Sequence, residues 1–268
     1  MPTRRTIAMR LSVALFACLA LTVAARAEPK PVISSKSKSA EIAVTIDDAL
    51  KAHPALYDNL LAEGRREAAK WRAEADDILR KGSDPMTFKD GRRYDYSRSY
   101  TQRSVIGRYV SVLRTDGAFT GGAHPNSYTD TILWDRDAKK RISIRPLFKE
   151  TADKGPAMTA LAKLVRAAVH VEKKRKGLEV EGTPDTDDWL KDIEPSLLKL
   201  GPITLAPSTE AGKAAGLTFH FSPYAVGPYA EGSLTAFVAW TDFKDFLSPE
   251  GIALFGGTRV KGDEDQFE

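Results

Sequence analysis

The chain has 268 residues, with 40 Lys+Arg against 36 Asp+Glu. All of the excess positive charge lies in the first 27 residues, where Arg4, Arg5, Arg10 and Arg26 stand without a single acid. Beyond that point the charges balance and no cysteine remains, so composition offers neither the basic footprint that a nucleic-acid backbone requires nor disulfide or thiolate chemistry.

Arg4, Arg5 and Arg10 precede an apolar run from Leu11 to Ala25, and Ala25-Arg26-Ala27 has the small-x-small form of a signal peptidase site. The expectation is a signal peptide over 1–27, cleaved after Ala27, and a periplasmic or extracytoplasmic protein. The apolar run falls short of the roughly 20 residues that span a bilayer. A lipoprotein anchored at Cys18 is disfavoured by bulky Phe16 and by the apolar residues that continue past the cysteine. Arg4-Arg5 leaves Sec and twin-arginine export both open.

Residues 28–40, with Pro29, Pro31 and a Ser/Lys alternation, read as a disordered lead-in. Ile42, Val44 and Ile46 alternate as in a strand. Pro54 then opens a long helix whose stripe runs through Leu56, Leu60, Gly64, Ala68, Trp71 and Ala75 to Ile78/Leu79, with Gly82 as its C-cap. Three strands follow: one carrying Tyr94, Tyr96, Arg98 and Tyr100 on a single face, one over Val105–Leu113, and one over Tyr128–Trp134. Short connections favour antiparallel pairing.

Helix returns at Pro156 with Met158, Leu161, Leu164/Val165, Ala168 and Val171 on its stripe, ending in the cationic run Lys173–Lys176, read as a solvated helix end. A short helix is expected over Trp189–Leu200, then strands over Leu217–Phe221 and Leu234–Trp240. A helical turn over Phe243–Leu247 comes last. The whole is α+β: an antiparallel sheet with helices packed on it, in two halves (41–150 and 151–247), followed by a tail from 248 to 268.

The string Val44-Thr45-Ile46-Asp47-Asp48 resembles the strand-end aspartate pair of polysaccharide deacetylases. That chemistry also needs two histidines four apart on a helix, and His53, His124, His170 and His220 include no such pair. A strand end with Asp47 or Asp48 starting a helical turn is the better reading. No nucleophile elbow, phosphate loop or zinc-ligand spacing occurs, so no cofactor and no metal is expected and a non-enzyme is favoured. The aromatic face at Tyr94, Tyr96 and Tyr100, with Arg92, Arg93, Arg98 and Arg103 around it, reads as a cover for the first helix with arginines at its edge. A sugar-stacking or anion-holding face is the alternative.

Two loops stand out. In one, Gly121, Gly122 and Pro125 surround His124. In the other, Ser222 to Gly232, two prolines hold two tyrosines: Pro223 precedes Tyr224 and Pro228 precedes Tyr229. Proline fixes φ, so both rings would be presented with little ordering entropy left to lose on binding. The candidate binding residues are His124, Pro223, Tyr224 and Tyr229; the structural alternative is a pair of braced loops.

The motifs Gly121-Gly122-Ala123-His124, Ile142-Ser143-Ile144-Arg145-Pro146-Leu147-Phe148, Leu217-Thr218-Phe219-His220-Phe221-Ser222-Pro223-Tyr224 and Gly227-Pro228-Tyr229-Ala230-Glu231-Gly232 occur in an order and spacing that resembles a known family. This is the exported domain shared by the anti-sigma factor RsiV and the peptidoglycan deacetylase PdaC, and the resemblance spans roughly residues 41–247. It implies an α+β extracytoplasmic module of two interlocked halves. RsiV-like members recognise lysozyme through a Pro-Tyr loop that maps onto Pro223 and Tyr224, whereas PdaC-like members carry a separate deacetylase domain. The function expected here is a non-catalytic periplasmic binding module for a cell-envelope polymer such as peptidoglycan or for a lysozyme-like protein, with no nucleic acid and no transmembrane segment in the mature chain. An envelope structural or assembly factor without a ligand site is the alternative; a peptidoglycan-modifying hydrolase or deacetylase with an unrecognised site is the second.

Overall fold

The computed structural model describes residues 30–82 and 93–263. The signal-peptide segment with Cys18, and Arg92, lie outside the described residues. Among the described residues, nine strands form two sheets. The first runs in the order β1 (Ile33–Lys36), β2 (Ala40–Ile46), β3 (Tyr94–Ile106), β4 (Tyr109–Phe119), β5 (Asn126–Asp135), β6 (Lys140–Ile142). The second is β7 (Ile203–Pro207), β8 (Ala214–Phe221), β9 (Leu234–Ala239). The helices are α1 (Pro54–Lys81), α2 (Pro156–Arg175) and the short α3 (Trp240–Phe243) and α4 (Pro249–Leu254).

α1 begins and ends where its sequence dictates. Pro54 occupies the first turn, and the Gly82 N–H closes the last one onto Ile78 and Leu79 carbonyls. Its stripe of Leu56, Leu60, Ala68 and Ala75 buries against Ile42, Val44 and Ile46 of β2 and Tyr94, Tyr96 and Tyr100 of β3. Trp71 stacks on Tyr96 at 4.7 Å. β2 and β3 are parallel, unlike the other described strand pairs, because α1 carries the chain back to the same end of the sheet. Asp47 sits at the strand end as expected and caps the helical turn after it, its Oδ1 accepting from the Ala49 N–H at 3.0 Å.

β3 is longer than its aromatic face suggests and turns at Gly107-Arg108, so the strand expected over Val105–Leu113 is in fact a hairpin. Gly107 supplies the positive φ that a two-residue hairpin needs. A bulge between Gln102 and Ser104 switches the faces of the strand. Before it, Tyr94 to Tyr100 face α1; after it, Ser104 and Ile106 face the second core.

That core joins α2 to the second sheet: Met158, Leu161 and Val165 meet Leu217, Phe219, Ala236 and Val238. The two sheets are stitched where β7 crosses the first. Ser104 Oγ donates to the Leu205 carbonyl at 2.7 Å, Leu205 N–H donates to Ser111 Oγ at 3.1 Å, and Ile203 N–H donates to Thr131 Oγ1 at 2.9 Å. These hydroxyls give β7 backbone partners across the sandwich that a purely apolar face could not.

Five expectations need correcting. The lead-in holds β1, whose Ile33 to Lys36 pair with Glu41 to Val44; backbone pairing orders a segment too polar to signal itself. The tail is folded over residues 248–263: α4 follows Ser248, Phe255 is buried, and Ser208 bridges Arg259. Trp189–Leu200 is one 3-10 turn at Asp188–Leu190 followed by turns, since Pro195 interrupts any helix there. Val171 faces outward on α2, while Val169 and Lys173 lie on its buried side. Arg98 is not at the edge but inside, forked onto Asp116.

Buried His220 has a consequence for stability. Burial first, then the nearby Arg103 and Arg259 charges, push its pKa down to about 3, and its Nε2 meets Thr204 Oγ1 at 2.8 Å. The unfolded chain therefore binds a proton between the ordinary histidine value and about 3 while the folded chain does not, so stability is lost as pH falls through that window. At about 1.4 kcal/mol per pH unit, this one group should cost on the order of 2 kcal/mol between pH 7 and pH 5. Urea unfolding at the two pH values, compared with His220→Asn, isolates it: the variant should lose this part of the pH dependence.

Candidate functional site

The two loops singled out in the sequence meet. The first, between β4 and β5, has both Gly121 and Gly122 at positive φ, which turns the chain sharply and sets His124 at the end of the first sheet. The second joins β8 to β9. It opens with a tight turn in which the Ala225 N–H returns to the Ser222 carbonyl at 3.0 Å. Pro223 fills the second position of that turn and Tyr224 the third, at φ +70°. That is the geometry of a type II turn, whose third position belongs to glycine. A tyrosine there carries backbone strain of roughly 1–3 kcal/mol, and such strain is concentrated at functional positions.

The rings of His124 and Tyr229 stack at 3.8 Å with 21° between planes. Tyr224 completes the cluster, 5.4 Å from Tyr229 and 6.4 Å from His124. Tyr229 Oη donates to the Pro125 carbonyl at 2.8 Å, and Thr129 N–H donates to Ser222 Oγ at 2.8 Å, so each loop is fastened to the other's flank. His124 and Tyr229 are half-buried by this packing, whereas Tyr224 is 55% exposed. All four candidate residues thus lie together, with Pro223 acting through the backbone it fixes.

Sequence reasoning missed what lies underneath. Lys173, on the last turn of α2, is 1% exposed. Its Nζ donates to the Val226 carbonyl at 3.1 Å and pairs with Glu231 at 3.2 Å, gripping the Pro-Tyr loop from below. The signal was available: Lys173 falls four residues after Val169 and eight after Val165, on the buried stripe. A cavity of about 460 Å³ beside the cluster is bordered by Thr129, Asp192, Glu194, Leu198, Ser222 and Tyr224.

What this arrangement offers chemically is a contact surface. Three rings offer polarisable faces for stacking and a hydroxyl for hydrogen bonding, at little entropic cost because the backbone is pinned. His124 Nδ1 lies 3.0 Å from the carbonyl of Pro125 and its ring contacts are tyrosines, an environment that positions the ring. Among the described residues, no group of three or more His, Cys, Asp or Glu could hold a metal ion, and no helix is long and apolar enough to cross a membrane.

Fold and cluster together define a class: a two-sheet α+β module whose paired loops present an aromatic patch. Comparison with known proteins adds a partial match. Residues 147–241 match the family model described as protein of unknown function DUF3298, in line with the RsiV-like resemblance of the motifs in that stretch. A DUF3298 family protein from Pseudomonas aeruginosa shares the fold at 16% identity with a TM-score of 0.51, covering 85% of this chain and 92% of that one. A DUF3298 member from Bacteroides fragilis does so at 17% identity with a TM-score of 0.50, covering 81% and 89%. No curated protein matches the chain.

Proposed function

We propose that this protein is an exported, non-catalytic module of the cell envelope that binds its ligand through the His124/Tyr224/Tyr229 cluster. The ligand classes that suit such a surface are peptidoglycan and a lysozyme-like protein. The observation that carries this reading is Tyr224: an exposed aromatic held in a strained turn, braced by two loops and a buried lysine. Strain of that kind persists when the presented group is in use. Export rests on the leader sequence, so protein recovered from the periplasmic fraction should begin at Glu28 rather than at a lipidated Cys18.

The test is Tyr224→Ala beside Tyr224→Gly, assayed by pull-down on lysozyme and on insoluble peptidoglycan and by thermal unfolding. Both variants should lose roughly 1–3 kcal/mol of affinity, the span of a moderate aromatic anchor. Alanine keeps the strained φ and should leave the melting temperature nearly unchanged. Glycine relieves it and should raise stability by roughly 1 kcal/mol. The hydrogen bond from Tyr229 to Pro125 favours a second reading, a scaffold whose loops merely brace each other. That reading gains if Tyr224→Ala lowers the melting temperature and alters no interaction.

A further inference from the structure

β5 is paired with β4 along Asn126 to Ala118 and onward to Asp135, but on its other side β6 reaches only Leu133 to Asp135. The rest of that outer edge has no strand beside it among the described residues. Alternate residues of an antiparallel strand turn N–H and C=O to the same side, so Ser127, Thr129 and Thr131 direct theirs outward. Two of those N–H groups are satisfied by side chains: Thr129 by Ser222 Oγ at 2.8 Å and Thr131 by Asp130 Oδ1 at 2.8 Å. Side-chain partners of this kind can be exchanged for a backbone carbonyl at little cost, whereas a ladder already formed cannot.

A cavity of about 300 Å³, walled by Thr131, Leu133, Ile144 and Leu197, opens along this edge, and the 460 Å³ cavity continues it past Thr129. The two share Leu198, Gly201 and Pro202, and Leu198 is 90% exposed between them. An open strand edge beside a groove with an exposed leucine is the layout of strand addition, in which main-chain hydrogen bonds give affinity and the groove takes alternate side chains. The charges choose the occupant. Asp130, Asp192 and Glu194 border the two cavities against Lys199; Lys199 pairs with Glu194 at 2.6 Å and Arg114 of β4 with Asp130 at 2.7 Å, so three carboxylates meet two cations and the edge stays acidic at Asp192.

We propose that the outer edge of β5 from Ser127 to Thr131 docks an extended peptide segment of a partner protein, rich in basic residues, that pairs with it as an added antiparallel or parallel strand. Five residues of strand at about 3.4 Å each match a docked segment of about 17 Å. This edge goes beyond the aromatic cluster, of which only Tyr224 borders the groove.

The experiment immobilises the mature protein and selects a random nonapeptide library displayed on phage, with Thr129→Pro, which removes an outward N–H, as the parallel bait. Selected sequences should carry Lys or Arg and should be enriched on the unmodified protein only. Since Thr129→Pro also removes the bond to Ser222, a second measurement uses the selected peptide with every other amide N-methylated. One phase of methylation should lower affinity at least ~10-fold and the other should not, because only alternate amides face the edge. Failure to enrich any sequence would overturn the proposal, as would equal binding of both methylated peptides. Occupation of the groove by soluble peptidoglycan fragments, with no peptide competing, would assign it to a glycan instead.

Discussion

Asp116→Ala should lower the unfolding free energy by about 3–5 kcal/mol, the usual cost of leaving a buried ion without its partner. Arg98, 6% exposed, forks onto this carboxylate with Nε to Oδ1 at 2.5 Å and Nη2 to Oδ2 at 2.8 Å. Tyr96 Oη adds a third hydrogen bond to Oδ1 at 3.1 Å. Burial works against the charge on Arg98, but Asp116 and the Tyr100 hydroxyl outweigh it and hold the guanidinium pKa above its ordinary value. Without Asp116, Arg98 keeps only a Glu63 oxygen at 3.6 Å and the Tyr100 hydroxyl at 3.4 Å. Glu63 cannot compensate, because it already serves Arg114 at 2.7 Å and Arg141. Burial would raise the Glu63 pKa, yet those arginines hold it below the usual carboxylate value, so it too is committed. Urea denaturation measures the loss. Replacing both partners, Arg98→Met with Asp116→Leu, should recover most of it, since a hydrophobic pair escapes the desolvation cost. A loss under about 1 kcal/mol for Asp116→Ala alone would mean water reaches Arg98 and the network is peripheral.

This network also marks where sequence reading stops. The tyrosines of β3 were legible as a cover for α1, because alternation fixes which residues share a face. Arg98 lies on that same face, and period-two spacing alone says that it points inward. What spacing does not say is that α1 delivers Glu63, and β4 Asp116, to the same spot. α1 was readable from end to end, since its stripe, Pro54 and Gly82 are all local signals. β1 and β7 were not: strands of four and five residues, too short to show a period, acquire their order from the strand beside them. The reach of β3 was hidden for a different reason. Its bulge at Gln102–Ser104 reverses the alternation in mid-strand, so a single period does not fit the whole length.

The aromatic cluster shows the same division. Proline and glycine flagged both loops, since turn chemistry is written locally. Their meeting is a property of topology: β5 begins where the first loop ends, β8 ends where the second begins, and the Ser222 to Thr129 bond holds the two ends side by side. No spacing along the chain encodes a contact between residues a hundred positions apart. The resemblance of the combined motifs to an exported family carried that information indirectly, and the DUF3298 match over residues 147–241 covers only the second of the two loops.

Glu231→Ala should be the most consequential change at the site itself, costing about 3–5 kcal/mol by leaving the Lys173 ammonium buried with one carbonyl for company. The carboxylate sits against Gly227, where a Cβ would lie 2.1 Å from Glu231 Oε2, so the loop closes over the ion pair without room for a substitute partner. With the pair broken, Nζ keeps only the Val226 carbonyl at 3.1 Å. The loop then has two outcomes: it lifts to hydrate Lys173, or the domain unfolds at lower denaturant. Either one displaces Tyr224 and Tyr229 from the geometry in which they stack with His124. Lys173→Met combined with Glu231→Leu separates the effects. Stability should largely return, because an apolar pair fills the site, while affinity for the envelope ligand should stay reduced, because the grip on the Val226 carbonyl is gone. Chemical denaturation and the pull-down on the same three proteins provide the comparison. Full ligand binding by the doubly substituted protein would show that the lysine only fills space, and that the loop holds its tyrosines through the Ser222 and Pro125 contacts alone.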